Sequence, residues 1–225
     1  MYWEEDKNRE VPAVSDDVVD LVFGMECRCL PVDHAYALSQ AVQAALPWFK
    51  DEPHAALHTI HGAASGNGWQ RPDEPGAVLH LSHRTRLTLR VPKHRVADAR
   101  QLEGRELDVS GYPLKLKQPS VRLLSTLTTL FARHLAADAD SNDEELLLAW
   151  AAAQLRALEI RPRKMLFGTE HFIVTPTQPI RVRSLMIADL EVDESLRLQQ
   201  HGLGPHRHLG CGVFIPHKDI SEVRK

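Results

Sequence analysis

The chain has 225 residues, 43% of them hydrophobic, which suits one large or two small domains with a sizeable core. Its net charge of -3 excludes a globally basic nucleic-acid binder, so any site for a polyanion must be a local patch. Three cysteines are too few for a disulfide framework and no apolar run approaches a membrane span, so the chain reads as cytoplasmic.

Residues 1–16 read as a polar leader. Residues 17–29 alternate through Val18, Leu21, Phe23, Met25 and Cys27, which predicts a first strand. Cys27 and Cys29 would share one face of it, as small buried hydrophobes rather than metal ligands, and no metal or other cofactor is expected. Pro31-Val32-Asp33 opens a helix with Asp33 as N-cap, an apolar stripe of Leu38, Ala41, Val42 and Ala45, and Pro47 as its stop. Residues 55–61 form a short second strand, Ser65-Gly66-Asn67-Gly68 a loop, and residues 77–91 a long third strand. A helix over 93–102 and strands near 106–109 and 114–117 complete the order β-α-β-β-α-β, the ferredoxin-like plan.

In the third strand Arg84, Arg86 and Arg90 share one parity and Leu87, Leu89 and Val91 the other, which predicts a cationic face opposite a buried one. Lys93 and Arg95 carry the charge into the next helix. A merely solvated sheet face produces the same alternation. This strand lacks the aromatic platform of many RNA-binding sheets.

The element order then recurs. Residues 121–135 predict a strand, and Ser141 with Glu144 forms a capping box for a helix ending at Leu158. Strands over 172–175 and 180–190, a helix over 193–200 and a strand over 213–215 follow. The α+β reading is two tandem ferredoxin-like domains, 17–119 and 120–225, with the boundary near Pro119. Asp138-x-Asp140-x-Asn142 resembles the start of a calcium loop, but Asp143 stands where the turn glycine belongs and Ala149 where the closing glutamate does.

Between the last helix and last strand, Gly202, Gly204, Gly210 and Gly212 surround His206, Arg207 and His208. Such glycine density permits positive φ and close approach of a ligand to the main chain, and Arg207 adds fixed charge. A phosphate site is the expectation. A P-loop and a dinucleotide fingerprint are both excluded, because here the helix precedes the glycines and the strand follows them. A helix-ending turn with Gly202 as C-cap explains one glycine of the four.

Glu194-Ser195-Leu196-x-Leu198-Gln199-x-x-Gly202-Leu203-Gly204, followed by Gly210-Cys211-Gly212-Val213-Phe214-Ile215-Pro216, closely resembles the signature of the RAMP superfamily. Within it the chain looks most like family six of the CRISPR-associated proteins, the endoribonucleases that cut CRISPR repeat transcripts into guide RNAs. Pro31-Val32-Asp33-His34-x-Tyr36-x-Leu38 resembles the first-helix segment of that family, notably the subgroup described from myxobacterial type I systems. The resemblance covers roughly residues 17–216 and is most specific at the C-terminal loop.

The resemblance implies metal-independent cleavage, in which a ribose 2′-hydroxyl attacks the adjacent phosphate and leaves 2′,3′-cyclic phosphate and 5′-hydroxyl ends. That chemistry needs a base, an acid and a cation beside the phosphorane. Thirteen histidines supply candidates. His34, in the first turn of its helix, is the first choice as base, since the positive end of the helix dipole favours neutral imidazole. His58 is the second, within the group His54, His58 and His61; His171 has no assigned role. The expected partner is repeat RNA, as a hairpin read by shape and backbone, with other effector subunits as further partners. Two rivals remain open: a non-cleaving guide-RNA-binding subunit of the same superfamily, and a ferredoxin-like module that binds a small ligand.

Overall fold

The computed structural model describes residues 14–61, 76–137 and 143–217. Most of the leader, the loop at Ser65 to Gly68, Ser141 and the Asp138-to-Asn142 motif lie outside the described residues. In the first half, strands β1 (Val18–Glu26), β3 (Ala56–Leu57), β5 (Arg86–Pro92), β6 (Glu106–Val109) and β7 (Tyr112–Arg122) form an antiparallel sheet ordered β3-β5-β1-β7-β6. A small ribbon pairs β2 (Cys29–Pro31) with β4 (Val78–His80). The helix α1 (Ala35–Ala45) covers one sheet face, with Leu38 and Val42 fully buried, worth about 1.5–3 kcal/mol each, and the short α2 (Val96–Ala99) follows β5.

The second half has β8 (Leu130–Leu135), α3 (Glu144–Ala157), β9 (Lys164–Ile173), β10 (Ile180–Ala188), α4 (Val192–His201) and β11 (Ile215–Pro216). Its antiparallel sheet runs β11-β8-β10-β9. That is the ferredoxin-like arrangement; in the first half the β6–β7 hairpin stands in for the fourth strand. Each half has its own core, around Phe23 and Leu38 in the first and Leu185 and Phe214 in the second.

Several expectations are corrected. The third strand expected over 77–91 is broken at Ser82 to Thr85 by a turn closed by Thr85 N–H donating to the Ser82 carbonyl (3.0 Å), so Arg84 sits on a turn. The second strand is two residues long. The strand expected over 121–135 is split: Val121 and Arg122 finish β7, which runs through Pro119, and β8 begins at Leu130. The chain thus leaves the first sheet after Arg122, beyond the boundary expected at Pro119. His34, not Asp33, occupies the N-cap of α1, and Asp143 caps α3 through a bond from Glu145 N–H.

The parity reading of β5 is correct for Arg86 and Arg90, yet the face they share is largely covered rather than wet. Arg90 is 1% exposed. Its guanidinium grips buried Asp20 of β1, Nε to Oδ1 at 2.9 Å and Nη2 to Oδ2 at 3.3 Å. Its Nη1 donates to the Gln199 carbonyl (2.8 Å) of α4 and the Phe214 carbonyl (2.9 Å). Arg90 is therefore a clamp between the halves, and the expected contact with RNA does not hold for it.

The glycine loop is the other half of this junction. Ser39 Oγ donates to the His208 carbonyl (2.6 Å), and Arg207 Nε to the Ala55 carbonyl (3.4 Å). A side chain on Gly212, at φ 63°, would run into the Leu203 carbonyl; one on Gly210 would meet the Thr59 methyl at 2.6 Å. Gly202 and Gly204 likewise face protein, the Arg207 guanidinium and the Ala136 carbonyl respectively. The glycines bring backbone against backbone, so the open phosphate cradle expected at Gly202, Gly204, Gly210, Gly212 and Arg207 is corrected to a buried lock. Burial, with Arg90 nearby, drives Arg207 down to about 9, and burial pushes the Cys211 thiol up to about 12.

Candidate active site

A cleft of about 510 Å³ lies where the N-terminus of α1 meets the open face of the second sheet. The first half contributes His34 and, after β3, Thr59 and His61; the second contributes Arg133 and His134 from β8, His171 from β9 and Ser184 from β10. Four imidazoles and a guanidinium, drawn from residues far apart in sequence, thus face one volume.

His34 is 4% exposed. Its Nδ1 lies 2.9 Å from the Pro31 carbonyl, which can only accept, so the neutral ring carries its proton on Nδ1 and is basic at Nε2. Its own carbonyl receives Leu38 N–H at 2.8 Å, which fixes the residue to the first turn of α1. No acidic residue occupies that turn, although Asp33, just before it, also lines the cleft.

His61 accepts or donates through Nε2 with Thr59 Oγ1 at 3.0 Å. Burial first, then the charges of Arg133, His134, His34 and His58, drives it down to about 2. The unfolded ring titrates near 6.5, so the folded value is depressed and the unfolded chain gains a proton first as pH falls. The associated stability is complete above about pH 6.5 and drains away toward about pH 2. The melting temperature is expected to drop from about pH 7 to about pH 5, and His61→Asn to make that drop shallower. An equally steep drop in the variant would assign the acid sensitivity to other groups.

Arg133 is half-buried, its Nε has no hydrogen-bond partner among the described residues, and burial lowers its pKa. Arg133 lines the cleft, although this nitrogen is itself buried. It is a ready hydrogen-bond donor for an anionic oxygen.

His58 does not join His34. It faces the Asp20–Arg90 pair, with Nε2 3.4 Å from Asp20 Oδ1, and burial outweighs Asp20 to leave its pKa lowered. It lines a second cleft of about 430 Å³ with Arg84, Arg86 and Gly210. The two clefts share Thr59, Ile60, His61 and Arg133 as lining and therefore adjoin. The expected group of three histidines disperses, with His54 edge-on to the His201 ring at 5.0 Å. Lys93 pairs with Asp16 at 2.5 Å, and Arg95 with Asp98 at 2.9 Å while lying over Trp48. Neither lines the clefts. His206 and His208 are partly buried, edge to face with ring centroids 6.1 Å apart.

Arg133 and His134 escaped the sequence reading. The alternation Leu130-Phe131-Ala132-Arg133 would have put Arg133 on the face opposite the core, had the strand not been merged with residues 121–129. His134 follows only because the register shifts along β10 between Arg183 and Leu185.

A family model described as Cas6 Crispr matches residues 19–219. The CRISPR-associated endonuclease Cas6 of Myxococcus xanthus (strain DK1622) is 29% identical over 206 residues, covering 92% of this chain and 84% of that protein. A solved structure described as CRISPR associated protein Cas6 superposes with a TM-score of 0.63 at 8% identity, covering 89% of this chain and 99% of the other. Another, described as an RAMP protein binding different RNA substrates, gives 0.59 at 14% identity over 89% of this chain and 99% of that one. At these identities the superpositions speak to the fold. No helix among the described residues is long and apolar enough to cross a membrane.

Proposed function

The chain belongs to the Cas6 family, and on that footing we propose that it cuts CRISPR repeat transcripts in the cleft between its two halves, without a metal. The observation that carries the reading is the convergence of His34, His134, His171 and Arg133 on one cleft. His34 Nε2 takes the proton from the ribose 2′-hydroxyl, and the 2′-oxygen attacks the adjacent phosphorus. Arg133 donates to the phosphorane oxygens. The P–O5′ bond breaks as an imidazolium, His134 or His171, protonates the departing 5′-oxygen. Products are a 2′,3′-cyclic phosphate and a 5′-hydroxyl.

Neutral His61 stays out of the proton traffic and fixes the wall between the clefts. Arg84 and Arg86, exposed at the mouth of the second cleft, contact the phosphate backbone of the RNA. A subunit that only held RNA would not require a base fixed at Nδ1 beside a guanidinium, and this favours the cleaving enzyme over its non-cleaving rival. The test is incubation of labelled repeat RNA with the protein in excess EDTA, followed by analysis of the ends. Cutting with a cyclic phosphate end is expected. Strict dependence on added magnesium or manganese, or a 3′-hydroxyl product, would rule the mechanism out.

A further inference from the structure

The open face of the second sheet extends beyond the cleft and carries a row of apolar side chains in register across all four strands. Ile215 of β11 pairs with Phe131 of β8, Phe131 with Met186 of β10, and Met186 with Leu166 of β9. Directly opposed residues of antiparallel strands share a face. Their neighbours Leu130, Ala132, Leu185 and Ile187 point the other way, into the core. The row is not a core: Leu166 is 59% exposed, and Ile215, Phe131 and Met186 are only partly buried.

Three further features bear on what covers this row. Beside it the floor is low, because a side chain on Gly168 would strike Ser184 Oγ. The row is continuous with the cleft, since Phe131, Ser184 and Arg133 all line it. Its aromatic centre is fringed with basic groups: the Arg133 guanidinium carbon lies 5.9 Å from the Phe131 centroid and the His217 ring 5.8 Å away.

We propose that this row is a seat for unpaired nucleobases of the RNA strand as it leaves the cleft, with one base stacked on Phe131. This inference rests on the function proposed above. An unpaired nucleotide presents an apolar base face and a phosphate on its flank, and an aromatic beside a guanidinium is complementary to both. A paired helix has no base face to offer such a surface, so the occupant is single-stranded. The third strand of the first half lacks such a platform; the second sheet supplies one.

The experiment measures binding and single-turnover cleavage of repeat RNA, intact and with abasic nucleotides placed in turn along its unpaired stretches. Phe131→Leu should weaken binding of intact RNA by about 5- to 100-fold, the range for losing one base–aromatic stack, and Phe131→Trp should retain it. At one abasic position wild type and Phe131→Leu should bind alike, because the stack is already missing. Met186→Ala, at a partly exposed position and without a change of charge, should show the same suppression, which guards against a folding defect in the Phe131 variant. Wild-type cutting combined with variant losses that no abasic position suppresses, or with no losses, overturns the seat alone and marks the row as a protein-docking face. If wild type neither binds nor cuts, the proposed function falls with it.

Discussion

His34→Ala is expected to slow single-turnover cleavage by about 10²–10⁴-fold at saturating enzyme, the usual cost of losing a general acid or base. RNA affinity should change little, because the donors assigned to the phosphates are Arg133, Arg84 and Arg86. The alanine variant also loses the bond to the Pro31 carbonyl, so a local defect at the start of α1 could imitate a chemical one. His34→Asn separates the two, since its amide can still donate to that carbonyl but cannot accept a proton near neutral pH. Both variants should be slow, and the asparagine form should melt close to wild type. If His34→Ala cuts at the wild-type rate, the base lies elsewhere and His171 is the next residue to substitute.

Arg90→Ala is expected to destabilise the protein by about 3–5 kcal/mol, the cost of stripping the buried cation from Asp20, which keeps the largely exposed Arg122 (3.1 Å) and His58 as neighbours. Burial alone would raise the pKa of Asp20, yet Arg90 and His58 hold it well below the usual carboxylate range. A folded value below the unfolded one means that Asp20 contributes stability above about pH 3.9, which is lost as pH falls through its folded pKa. Without Arg90 that contribution shrinks at every pH above this window, and the Gln199 and Phe214 carbonyls lose their donor as well. Thermal or denaturant unfolding gives the measure. Replacing both partners by apolar residues, Asp20→Leu with Arg90→Met, should recover part of the loss and leave the deficit of the two carbonyls. A single variant as stable as wild type would mean that the glycine loop and the packing of Ala35 with Ala136, Ile173 and Val182 hold the halves without this clamp.

How much of this was legible in the chain follows from which signals are local. β1, β6 and α4 declare themselves by periodicity within ten or so residues, and the order of elements repeated in each half was enough for the ferredoxin-like plan. Periodicity separates two faces of a strand but is silent on what lies over them. For that reason β5 could be divided correctly into Arg90 and Leu89 faces, while the burial of Arg90 beneath Gln199 and Phe214 stayed hidden. The same limit applies to the glycine loop. Its density signalled close approach, but the approaching partner is the chain's own backbone at Leu203 and the Thr59 side chain, not a ligand. The place of His34 at the start of α1 was legible because a helix N-terminus is a local feature. Arg133, His134 and His171 come to it only through docking of the halves, which no single stretch encodes.

The docking contacts also set an order in time. The hydrogen bonds joining the halves link Arg90 to residues 109 and 124 positions later, Ala55 to one 152 later and Ser39 to one 169 later. At synthesis rates of about 5–20 residues per second, the first half waits roughly 5–30 s for these partners to emerge. Until then His34 has no opposing wall, because Arg133, His134 and His171 belong to the half made later. The cleft is thus completed only once the second half has been made and docked.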